Sequence, residues 1–168
     1  MSLRAGLAVA ESLDPCLRRP IKLKWPNDLM LGDRKVGGIL CEARWQGQRL
    51  GWVAVGLGMN VQNAVPEDLR STATSLAQEQ PGITVEDILP TIVAALRSLD
   101  LAADRLTPGE LTRFSQRDWL NGRDIRAPAL GRAAGLRDDG ALVVRSILGQ
   151  DITLRSGSVE LAAVSHSR

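Results

Sequence analysis

The chain has 168 residues, 44% of them hydrophobic and 24% charged, with a formal net charge of +2. That is an ordinary globular composition, enough for one domain plus a small appendage that buries roughly two-thirds of its unfolded surface without a disulfide framework. No apolar run approaches the ~20 residues of a membrane span, Cys16 and Cys41 have no metal-ligand spacing, and the single histidine, His166, lies in a polar tail, which argues against a membrane anchor, histidine catalysis and histidine metal sites.

Only Lys22, Lys24 and Lys35 among the 21 basic residues are lysines; the rest are scattered arginines that form no stripe. With one Phe and no Tyr, stacking platforms for single-stranded nucleic acid are scarce, so no nucleic-acid partner is expected. Residues 1–13 do not read as a leader, because Glu11 interrupts the apolar stretch, and a cytoplasmic location is the expectation.

In chain order, residues 4–13 predict a short amphipathic helix that ends before Pro15. Residues 21–25 alternate as a strand and stop at Pro26, leaving Asn27-Asp28 at its exit. Residues 29–31 and 35–44 predict a hairpin turned at Gly32-Asp33. Residues 50–57 are nearly continuous in apolar character and predict a strand buried on both faces, reached through a reversal at Gln46-Gly47-Gln48. From Asn60 to Pro81 the chain reads as loop. A helix is predicted from Thr84 to about Leu106, with Thr84 and Asp87 at capping-box spacing, Ile88, Ile92, Leu96 and Leu99 on one face and Pro90 as a kink. A second helix is expected over 108–119. Short β segments follow at 123–127, 131–136, 141–146 and 150–155, with a turn at Asp138-Asp139-Gly140, and read as a small barrel of SH3-like size.

The chemistry concentrates in residues 24–40. Lys24 and Lys35 are point charges able to stabilise negative charge during nucleotidyl transfer. Asp28 and Asn60 each read alone as a turn former or cap. Together they end two strands, and a carboxylate and an amide oxygen there are enough to share a magnesium ion carrying phosphates. Gly37-Gly38 and Gly56-Leu57-Gly58 lie on neighbouring strands. They predict either a side-chain-free floor for a flat ligand, or a bulge or tight helix-on-sheet packing. Neither is a Walker A loop or a dinucleotide fingerprint. Trp25 borders the motif and is expected near the ligand, while Trp52 and Trp119 are expected in the core.

Lys24-Trp25-Pro26-Asn27-Asp28, then Arg34-Lys35-Val36-Gly37-Gly38-Ile39-Leu40-Cys41-Glu42, then Val55-Gly56-Leu57-Gly58-Met59-Asn60-Val61 resemble, in that order and spacing, the catalytic domain of biotin protein ligases. Ala73-Thr74-Ser75-Leu76 is similar to a loop of that family, and residues 135–142 are similar to its C-terminal SH3-like domain.

The resemblance implies an α+β fold. A class II aminoacyl-tRNA synthetase/biotin synthetase-like mixed sheet, truncated at its N-terminus, would fill residues 1–120, with the SH3-like barrel in 121–168. It implies a two-step reaction in which biotin and MgATP give biotinyl-5′-adenylate, and the biotin then passes to a lysine of a biotin carboxyl carrier protein. Lys35, with Lys24, would be catalytic. Trp25, Asn27, Gly37, Gly38, Ile39, Gly56 and Gly58 would surround biotin and adenylate, and Asp28 and Asn60 would serve the metal. The family's Gly-Arg-Gly-Arg-type loop has no counterpart in these residues, so the chain is expected to be the C-terminal part of a ligase and inactive or nearly so alone. An open sheet edge invites self-association to a homodimer. A non-catalytic biotin- or adenylate-binding remnant, a lipoate-ligase relative and a pure interaction module are the competing readings.

Overall fold

A computed structural model describes residues 1–47, 49–100 and 103–162. Gln48, part of the expected reversal, Leu101-Ala102 within the long expected helix, and His166 fall outside them.

Helix α1 (Ser2–Ser12) presents Ala5, Val9 and Ala10 to the core. It packs on the inner face of an antiparallel sheet in the order β1 (Lys22–Lys24), β2 (Asp28–Leu31), β3 (Arg34–Gln46), β4 (Arg49–Met59). Among the described residues all strand pairs are antiparallel, and parallel pairing is limited to the isolated bridges Leu23–Asp118 and Lys35–Ala73. The expected mixed sheet is therefore replaced, within the described residues, by an antiparallel one. A single-turn helix α2 (Leu76–Glu79) interrupts the stretch read as loop.

Helix α3 (Val85–Arg97) has the expected cap: the Thr84 hydroxyl accepts from the Asp87 N–H, and the Asp87 carboxylate accepts from the Thr84 N–H. It carries Pro90 in its interior and ends at Arg97, well short of residue 106. Helix α4 (Pro108–Arg117) has a second capping box, Thr107 with Glu110, and Pro108 in its first turn, where no N–H partner is lost.

The chain then forms β5 (Asp124–Ala127), β6 (Gly131–Leu136), β7 (Leu142–Arg145), β8 (Asp151–Leu154) and β9 (Glu160–Leu161), in the sheet order β8-β7-β6-β5-β9. Two cores result. Leu23, Leu29, Val36 and Ile39 meet α1 and α3 in the first; Leu120, Ile125, Leu142 and Val144 form the second, which Trp25 enters from the first sheet.

The strand expected to be buried on both faces is an edge strand with no fully buried residue. Val53, Val55, Leu57 and Met59 of β4 are partly buried, while Trp52, Ala54, Gly56 and Gly58 between them are exposed. Trp52 is thus half exposed, at 50%, and outside the core where it was expected.

Candidate functional site

One transverse row crosses the outer face of the first sheet. Lys24 opposes Asp28, Asp28 opposes Gly38, and Gly38 opposes Gly58. Opposed residues of antiparallel strands share a face, and at the usual strand spacing the row spans about 14 Å.

Lys35 joins this face through an irregularity. Leu29 pairs with Gly37 but Met30 pairs with Lys35, so Val36 is an extra residue in β3. Lys35 and Gly38 are three positions apart and would face opposite sides of a regular strand. The bulge cancels one step of the alternation and re-aims the lysine. A Cβ at Gly38 would lie 3.6 Å from both Cε and Nζ of Lys35. The ammonium lies 2.5 Å from the Asp28 carboxylate, itself mostly buried.

The bulge is held from its other side. The Lys35 N–H donates to the Thr72 carbonyl at 2.7 Å, the Thr74 N–H donates to the Lys35 carbonyl at 2.9 Å, and the Asn60 N–H donates to the Val36 carbonyl at 2.8 Å. Thr74 is fully buried and its hydroxyl donates to Gln78 Oε1 at 2.9 Å. Thr72 and Thr74 are supports that the residue-level reading did not single out. Their sequence signals are a pair of threonines after a polar loop and, for Thr74, its place in the Ala73-Thr74-Ser75-Leu76 segment.

The glycines divide. Gly38, Gly56 and Gly58 lie on the outer face, opposite Gly58, Leu40 and Gly38 respectively, and no atom lies within 4 Å of where a Gly58 Cβ would stand. Gly37 lies on the inner side, where a Cβ would come within 2.5 Å of the Gly58 carbonyl oxygen and 3.2 Å of Met59 Cα. Its neighbour Ile39 is a core residue. Gly37 thus permits close approach of the neighbouring strand, and Ile39 packs into the core. Trp25, also expected at the ligand, is 2% exposed in the second core, and its indole N–H donates to the Gly140 carbonyl at 3.0 Å. Asn27 is half-buried in a small crevice with Lys24, Pro26 and Asp28, and its carbonyl accepts from the Ile39 N–H at 2.9 Å.

In the structure Asp28 and Asn60 both have protein partners. The Asp28 carboxylate is taken by the Lys35 ammonium. The Asn60 amide donates to the Thr74 carbonyl at 3.2 Å, and its oxygen accepts from Asn63 at 3.1 Å. Among the described residues no three His, Cys, Asp or Glu side chains cluster as metal ligands. Asn60 acts here as a brace on the segment that supports Lys35.

The division of the glycines has a measurable consequence. Gly37→Ala is expected to cost roughly 1–3 kcal/mol of stability in urea unfolding, because the obstacle is backbone. Gly58→Ala is expected to stay within about 0.5 kcal/mol of the parent. An equal loss from both would show that the floor is not free space.

Residues 2–60 match the model of the biotin/lipoate A/B protein ligase family. The chain is 32% identical over 178 residues to the biotin–[acetyl-CoA-carboxylase] ligase of Mycobacterium tuberculosis, covering 95% of this chain and 61% of that protein. The crystal structure of the biotin protein ligase of Aquifex aeolicus superposes with a TM-score of 0.81 at 24% identity, over 96% of this chain and 74% of that one. Over most of its length the chain is similar to biotin protein ligases. It also matches the bifunctional ligase/repressor BirA of Bacillus subtilis at 29% identity, with 92% of its own length and 52% of that protein's, so it spans about half of this relative. The ligase fold extends through both sheets, since the Aquifex aeolicus enzyme in complex with biotin and ATP also superposes over 96% of this chain, with a TM-score of 0.77. No helix among the described residues is long and apolar enough to cross a membrane.

Proposed function

We propose that this chain carries the adenylate-binding face of a biotin protein ligase. In the reaction an oxygen of the biotin carboxylate attacks the α-phosphorus of ATP, the bond to the β-phosphate oxygen breaks, and pyrophosphate leaves with biotinyl-5′-adenylate formed. A lysine amine of a biotin carboxyl carrier protein then attacks the acyl carbon and AMP leaves. The observation that carries this reading is the Lys35 ammonium poised over Gly38, beside the open Gly56–Gly58 strip. A fixed cation there offsets charge developing at the carboxylate and the α-phosphate, and a floor without side chains admits flat rings. Lys24, at the end of the same row, extends the positive field. Catalysis then rests on positioning and charge, with no protein nucleophile.

In this reading the catalytic part ends near residue 120 and the remainder is an SH3-like domain, the location is cytoplasmic, and self-association uses the β4 edge. ATP arrives as its magnesium complex, with the ion held by phosphates and water rather than by the Asp28–Asn60 pair. The 168 residues contain no Gly-Arg-Gly-Arg-type run, so the proposal assigns them binding of the adenylate and no detectable biotin-dependent pyrophosphate exchange by themselves.

Calorimetric titration with a non-hydrolysable biotinyl-adenylate analogue tests the reading. Saturable binding is expected, and binding that prefers a lipoyl-adenylate analogue would redirect the reading to lipoate. No binding by a chain whose circular dichroism shows it folded would overturn it.

A further inference from the structure

Trp119 lies in the connection between α4 and β5, far in sequence from the cationic motif, yet its contacts lead into that motif. Its indole N–H donates to the carbonyl of Gly32, in the β2–β3 turn, at 3.0 Å. Its own backbone N–H donates to the Leu23 carbonyl at 2.9 Å, beside the parallel bridge between Leu23 and Asp118. Over the ring stand two cations: the Arg123 guanidinium at 3.8 Å from the centroid and the Lys24 ammonium at 5.6 Å. Arg123 also reaches back to the same turn, donating to Asp33 at 2.6 Å, and this holds the Asp33 carboxyl below its usual range.

We propose that Trp119, with Arg123 stacked on it, is a positioning residue for the ligand-binding face. It clamps the Gly32–Asp33 turn and the Lys24 ammonium, and so sets the places from which Lys35 and Lys24 act. This deepens the ligase reading and rests on it for the role of the two lysines. The turn lies two residues before Lys35, and the bulge at Val36 leaves that lysine dependent on supports outside the hairpin ladder. Thr72 and Thr74 provide one support and the Trp119 clamp provides the other, from the opposite end of the turn. The ion pair Arg123–Asp33 is largely exposed and weak by itself. The indole hydrogen bond and the cation-over-ring contacts carry the clamp. Two cations over one indole give Lys24 a defined place on the sheet, which a surface lysine otherwise lacks.

The experiment uses the 168-residue protein with Trp119→Phe, which keeps a ring but deletes the N–H, and Arg123→Gln. Amide hydrogen exchange is read at Lys35, with Ile39 as internal control, together with the ring-current shift of the Lys24 side-chain protons and affinity for the biotinyl-adenylate analogue. Trp119→Phe is expected to speed exchange at Lys35 about five- to tenfold, as loss of one hydrogen bond implies, leave Ile39 unchanged and weaken the analogue by a similar factor. Arg123→Lys is expected to restore most of what Arg123→Gln loses. Unchanged exchange at Lys35 in both variants, or acceleration at Lys35 and Ile39 alike, overturns the proposal. A parent chain that fails to bind the analogue while its exchange responds as expected overturns the ligase reading and leaves the clamp standing.

Discussion

Replacing Arg4 with methionine is expected to destabilise the chain by about 3–5 kcal/mol, the usual consequence of removing one partner of a buried charge network. Arg4 sits in an otherwise apolar helix face with its side chain 6% exposed. Its guanidinium donates to Glu110 at 2.5 Å and to the carbonyls of Asp100 at 3.1 Å, Ala103 at 2.8 Å and Arg105 at 2.6 Å. One side chain thereby ties α1 to the segment before α4 and to the Glu110 capping box of α4. Methionine fills much of the volume but leaves a carboxylate and three carbonyls without that partner.

The same contact sets an acid limb. Hydrogen bonding to Arg4 lowers the Glu110 pKa from 4.5 to about 2. A lowered carboxylate pKa adds stability that is fully present above 4.5 and is lost as pH falls toward 2. Urea midpoints measured across that window are expected to drop in the parent and to drop much less in Arg4→Met. A parent curve flat over the window would mean that Glu110 has no such partner in solution.

Arg4 also shows why part of this fold was not legible in the sequence. Its partners lie about a hundred residues away, and nothing in the local helical pattern names them. What could be read was local. The Thr84–Asp87 cap, the Gly32-Asp33 turn and most strand positions follow from side-chain chemistry within four residues. Composition masks the alternation of β4: Val55 and Leu57 pack against the core while Ala54, Gly56 and Gly58 are exposed, and both faces are apolar or small. Trp25 reads ambiguously for a related reason, since an aromatic beside a ligand motif is equally suited to packing into a second core, where the structure places it. The glycine pair reads as a ligand floor or as a bulge or tight helix-on-sheet packing; the structure turns Gly38 outward and sets Gly37 inward against the backbone of the neighbouring strand. The bulge that brings Lys35 over Gly38 is a register event between two strands, and single-strand periodicity carries no information about it.

Lys35→Ala is expected to weaken the biotinyl-adenylate analogue about ten- to hundredfold, the loss of one charge-assisted hydrogen bond of roughly 1.5–3 kcal/mol. Urea stability is expected to change little, because the Lys35 side chain is 49% exposed and its pair with Asp28 is half solvated. Asp28→Asn separates the two roles open to the carboxylate. If Asp28 serves only to hold the ammonium, the amide variant keeps the cation over Gly38, the affinity changes by less than about fivefold, and chelating magnesium makes no difference between parent and variant. A magnesium-dependent affinity that Asp28→Asn abolishes would instead restore Asp28 as a metal ligand and require the Lys35 pair to open when the ligand arrives. Lys35→Arg adds a geometric check. A guanidinium presents a planar fork rather than a compact point charge, so restored charge without restored affinity would show that the position over Gly38 matters as well as the sign. An unchanged affinity in Lys35→Ala would remove this lysine from the ligand contact, and with it the observation on which the ligase reading rests.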